Sequence, residues 1–149
     1  MLQFGHTLEV VTEIVPDEKD WTWVLERPCG ECGFDARSIE LDVVAAMILD
    51  NAEQWQLLLG AGEASLEVRA RPERWSTLEY ATHVRDVYRL YEQRLRLMLD
   101  SDVPLYPNRD QHETAIAERY DEQDPVIVAG ELVAAAMGPG SRSSRSPDT

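Results

Sequence analysis

Trp75-Ser76-Thr77-Leu78-Glu79-Tyr80-Ala81-Thr82-His83-Val84-Arg85-Asp86 is the stretch whose reading decides the fold of this 149-residue chain. Ser76 and Glu79 have the Ser-x-x-Glu spacing of a capping box, and Trp75 and Tyr80 stand at the hydrophobic-staple positions on either side of it. A helix is therefore predicted from Ser76 to about Leu99 or Asp100. At the helical period Tyr80, Val84, Val87, Tyr91, Leu95 and Met98 form one apolar stripe, expected to be buried, with His83 beside it. A bundle helix presents a metal ligand or a catalytic base at such a place, and an ordinary half-buried histidine sits there too. Arg85, Arg89 and Arg96 read as a solvated face.

Outward from this helix the pattern stays helical. Residues 38–59 carry Leu41, Val44, Ile48, Trp55 and Leu59 at helical spacing among acidic and amide positions, and Gly60 and Gly62 end the run. A charged linker through Glu67, Arg69, Arg71, Pro72 and Arg74 follows. Pro104 and Pro107 break the chain after the His83 helix; His112 to Tyr120 reads as a short helix, and His112 is expected to face solvent. Asp124-Pro125 starts another helix, Asp as N-cap and Pro at the first helical position, fading at Gly138. Residues 1–28 are the least regular and read as an arm over the core, with Asp20-Trp21-Thr22-Trp23-Val24-Leu25 as a short extended piece. Residues 29–137 form the helical domain. The last stretch, 138–149, has no large apolar residue and is expected to be disordered.

A chain of this length with 44% hydrophobic residues supports one core. Its net charge of −14 argues against a nucleic-acid partner, because phosphate backbones need a concentrated basic face. No apolar run approaches the ~20 residues that span a bilayer, and the first residues do not form a basic-then-apolar leader, so a cytoplasmic protein without a membrane partner is expected. The sequence has no phosphate-cradling glycine loop, no nucleophile elbow and no internal repeat.

Pro28-Cys29-Gly30-Glu31-Cys32-Gly33-Phe34-Asp35 supplies the second chemical candidate. A Cys-x-x-Cys followed by glycine has the shape of a zinc knuckle, since the tight turn aims both sulfurs at one point, but a tetrahedral site needs two more ligands. Cys29 and Cys32 are thus half a site, to be completed by His6, His83, His112 or acidic side chains. Alternatively they are a redox pair, or a reduced pair of small buried hydrophobes fastening the arm to the first helix.

Taken together, Asp20 to Leu25, Pro28-Cys29 through Cys32-Gly33-Phe34-Asp35, Trp75 through Asp86, and Tyr120 with Gln123-Asp124-Pro125 resemble the DinB-like superfamily over about residues 12 to 137. The resemblance is to a branch labelled DinB family protein or methyltransferase type 12, related to the N-terminal domains of mycothiol-dependent maleylpyruvate isomerases. It implies an all-α, up-down four-helix bundle, often a homodimer. It also implies a divalent metal such as zinc or nickel on three histidines, and thiol-dependent transfer or isomerisation with a low-molecular-weight thiol and a small electrophile as partners. The family's first metal histidine maps onto His83. The His-x-x-x-His-type element of its fourth helix has no counterpart, because the chain departs from the pattern after about Met137. The expectation is therefore a bundle lacking its fourth helix, with His83 as the single remaining ligand and thiol transfer inactive. The competing expectations are a metal- or redox-responsive protein built on Cys29 and Cys32, and a non-catalytic helical interaction module.

Overall fold

The computed structural model describes residues 14–15 and 19–138, and among these the chain is an all-α helical bundle of four α-helices with no strand. The helices are α1 (Leu41–Gly60), α2 (Thr77–Asp100), α3 (Gln111–Ala117) and α4 (Pro125–Met137). Of the tail 138–149, expected to be disordered, residues 139–149 lie outside the described residues, as do His6 and part of the expected arm.

Local chemistry starts α2, α3 and α4 close to where the sequence placed them, while α1 begins at Leu41, after the expected Ser38, with no side-chain cap. At α2 the Ser76 hydroxyl accepts from the Glu79 N–H at 3.2 Å while the Glu79 carboxylate accepts from the Ser76 N–H at 2.7 Å, and the Trp75 and Tyr80 rings meet at 5.4 Å. Asp124 accepts from the N–H groups of Val126 and Ile127 ahead of α4, and Asp110 does the same for His112 and Glu113 ahead of α3. These caps satisfy donors that have no partner within the helix.

The core lies where α4 packs against both α1 and α2, and these two meet mainly through it. Leu132, Val128 and Ala129 of α4 are buried with Ala52 and Leu59 of α1 and Leu78 and Ala81 of α2, and Leu66 closes the end. α4 reads PVIVAGELVAAAM, apolar almost all round, as suits a helix flanked on two sides.

Three expectations need correction, and the charged linker carries structure that its composition does not announce. Asp20 to Leu25 is not extended: Thr22–Leu25 is a 3-10 turn, nucleated by the Asp20 carboxylate accepting from both the backbone and the hydroxyl of Thr22. The charged linker is partly ordered, with a 3-10 turn at Ala64–Glu67 that buries Leu66, and with Arg69 ion-paired to the buried Glu79. The buried face of α2 is not the stripe from Tyr80 to Met98. It runs through Leu78, Ala81, Thr82, Arg85 and Asp86, while Tyr91, Leu95 and Met98 are exposed. Arg85 is accordingly no part of a solvated face, being only 5% exposed.

Candidate functional site

Burying Arg85 and Asp86 on α2 demands compensation, and the fold supplies it from three other segments. The Asp86 carboxylate accepts from Arg85 Nε at 2.9 Å, from Arg109 Nη2 at 3.2 Å and from the Tyr120 hydroxyl at 2.7 Å. Arg85 Nη1 continues to Glu131 of α4 at 2.7 Å, which Arg89 also reaches at 3.2 Å. Tyr120 is buried because the chain turns sharply after α3: Arg119 adopts φ 49° and a 3-10 turn over Tyr120–Glu122 follows. Burial pushes the Tyr120 phenol upward, and its hydrogen bond to charged Asp86 pushes it the same way.

His83 stands one turn before this network, half-buried, its ring 5.2 Å from that of Trp75. Burial depresses its pKa; the Asp86 charge opposes the shift and the Arg109 charge adds to it, so the net direction is down from the ordinary histidine value. At neutral pH the imidazole is therefore uncharged.

Two clefts share His83 as a wall. One, of about 550 Å³, lies between the start of α2 and α3 and includes Trp75, Tyr80, Arg74 and His112. The other, of about 330 Å³, lies between α2 and the segment leading into α3 and includes Tyr91, Arg94, Asn108 and Arg109. His112 does not face solvent as expected: it is half-buried, and its Nδ1 is shut off from water without a hydrogen-bond partner.

Cys29 and Cys32 lie on a separate turn, closed by hydrogen bonds from Cys29 N–H to Phe34 O and from Gly33 N–H to Cys29 O, both 2.8 Å, with Gly33 at φ 76°. Both thiols are free; Cys29 is buried and Cys32 is exposed, so they do not form the expected pair of buried hydrophobes. Hydrogen bonds from the backbone of Cys32 and of Glu31, then from the Cys32 thiol, hold the Cys29 thiol below its ordinary pKa.

No family model, curated protein or solved structure matches the chain. The site is therefore read from its own chemistry. Among the described residues no group of three His, Cys, Asp or Glu side chains is placed to hold a metal ion. The carboxylate nearest His83 along α2, Asp86, has its oxygens committed to two arginines and a phenol. The donor set around His83 thus does not fit a catalytic divalent metal, which takes three protein ligands and an open position. Sequence reasoning singled out His83, Cys29 and Cys32, weighed Asp86 only as a possible second ligand from the His83 helix face and quoted Tyr120 only as part of a motif, and missed Arg109 and Arg94. The partners of Asp86 on other segments lie 23 and 34 positions away, so no local spacing announces them.

Proposed function

We propose that the chain is a DinB-like helical bundle of the thiol-dependent transferase or isomerase class that binds a small molecule in the clefts around His83 and, lacking a complete metal-ligand set among its described residues, is inactive in metal-dependent thiol transfer. The observation that carries this reading is a neutral, half-buried imidazole in the common wall of two adjoining clefts. Such a group can accept a proton from a bound thiol or water. The class assignment is supported by the ordered motifs from Asp20 to Pro125 and by the all-helical fold. On this reading the protein works among soluble cell constituents and associates with a second copy of itself through the apolar side chains left open on α1 and α2.

The test is metal content by elemental analysis after dialysis against a mild chelator, with zinc or nickel supplied beforehand. The expected result is far less than one equivalent for the chain and for His83→Ala alike. Retention of a full equivalent that His83→Ala abolishes would mean that the ligand set is complete, and the inactive reading would fall.

A second reading is favoured by Cys29 alone, whose thiol is held toward the thiolate beside an exposed Cys32. A disulfide of a low-molecular-weight thiol would be reduced to two thiols as Cys29 and Cys32 lose two hydrogens and join. Full-equivalent metal retention that survives His83→Ala but not Cys29→Ser, or ready oxidation of the pair, would make these cysteines the functional centre.

A further inference from the structure

We infer that the smaller cleft is a binding site for the carboxylate of a small organic acid with an apolar body, and that Arg94 is its anchor. This deepens the small-molecule reading of the His83 clefts and rests on it. In a chain with 28 acidic residues against 14 basic ones, an arginine lining a cleft would ordinarily be claimed by a carboxylate. Arg94 makes no ion pair among the described residues. Its guanidinium instead lies 5.4 Å from the Tyr106 ring centre and 6.0 Å from that of Tyr91, and its Nε is enclosed without a hydrogen-bond partner. Two aromatic rings flank the guanidinium without neutralising it, which leaves its terminal Nη donors for an incoming planar anion.

The rest of the cleft agrees with an acid of this kind. Asp86 lines it as well, but three donors already satisfy that carboxylate. Arg109, already paired with Asp86, and the neutral amide of Asn108 border it, while Val87, Leu90 and Tyr91 give apolar wall, so Arg94 is the lining cation without a carboxylate partner among the described residues. A volume of about 330 Å³ suits a ligand the size of a single aromatic acid. The net charge of −14 works against anion binding in general, so retention of an anion calls for a local positive site.

The experiment measures benzoate binding to the full chain by ligand-observed NMR, with benzamide as the uncharged isostere. Benzoate is expected to bind at least about tenfold more tightly than benzamide, Arg94→Gln to lose at least about tenfold, and Arg94→Lys to recover part of the loss because it restores the charge but not the fork. Arg96→Gln, two positions on and paired with Glu92 at the surface, should leave binding unchanged. Equal affinity for benzoate and benzamide, undiminished binding in Arg94→Gln with native helicity, or no benzoate binding to the unaltered chain would each overturn the inference. Metal retention fails with the proposed function, whereas the benzoate series fails with this inference, so the two are separable.

Discussion

Asp86 holds together charges that arrive from α2, α4 and the segment around α3, and removing it exposes what each of them costs. Asp86→Ala leaves Arg85 buried with only Glu131 and leaves the Tyr120 hydroxyl without an acceptor. We expect a loss of about 3 kcal/mol, and about 1 to 2 kcal/mol for Tyr120→Phe, read from urea midpoints, with the double variant less than additive because both touch one network. Additive losses would show that the two groups act independently. At His83 folding is linked to proton binding. Unfolded, it titrates near the ordinary value of about 6.5; folded, burial holds it lower despite the nearby Asp86 charge. Between the two values the unfolded chain binds more protons, so this group's contribution to stability is whole above about pH 6.5 and falls as pH drops toward the folded pKa. His83→Gln should flatten the fall in urea midpoint from about pH 7 to about pH 5. Glu79 is shifted down as well, because Arg69 and the Ser76 N–H outweigh its burial, and its contribution is lost at lower pH, as the solution becomes acid enough to protonate a depressed carboxyl. An unaltered slope in His83→Gln would place the titrating group elsewhere.

The elements divide into those whose cause is local and those whose cause is distant. Helix starts are local: Ser76 with Glu79 and Asp124 with Pro125 are legible in the sequence, and both caps form as read. Ser76→Ala should cost about 1 to 2 kcal/mol, at the upper end because the box is buried and Glu79 also anchors Arg69; a loss within a few tenths of a kcal/mol would mean that the staple of Trp75 and Tyr80 suffices. The face that α2 buries was not legible. A reading by hydrophobicity favours Tyr91, Leu95 and Met98, but burial is decided by where α4 lies, and small Ala81 shares the buried cluster with Val128 and Ala129 of α4. Arg85 looked like its exposed neighbours Arg89 and Arg96 because Glu131, which shares its charge, is 46 positions away. The candidate site followed the same division. His83 was visible from its place beside a stripe, whereas the clefts depend on how Arg109 and Tyr120 are brought round to α2 by the proline-broken segment and the turn at Arg119.

For the whole molecule the question is what covers the apolar surface that the bundle leaves open. α4 occupies only one side of α1 and of α2, so Leu41 stays 91% exposed on α1, and Leu95 and Met98 stay 58% and 54% exposed on α2. Exposed apolar side chains of this size favour association in water, at ~25 cal/mol per Å² removed. The net charge of −14 opposes it, since two like-charged copies must approach. The balance has a testable sign: salt shortens the reach of the repulsion to about 10 Å at 0.1 M while leaving the apolar attraction intact, so association should strengthen as salt is added. In sedimentation experiments we expect a mass above that of the 16.9 kDa chain at micromolar concentration, falling on dilution and rising with sodium chloride. Leu95→Glu with Met98→Glu should shift the population to monomer without loss of helicity, because those side chains touch water rather than core. Leu132→Ala should instead lower stability by about 2 to 5 kcal/mol, because Leu132 is fully buried between α1 and α2. A monomer at every concentration and salt level, with a melting temperature that does not depend on concentration, would show that the exposed stripe is tolerated by a single copy and that no second copy is needed to cover it.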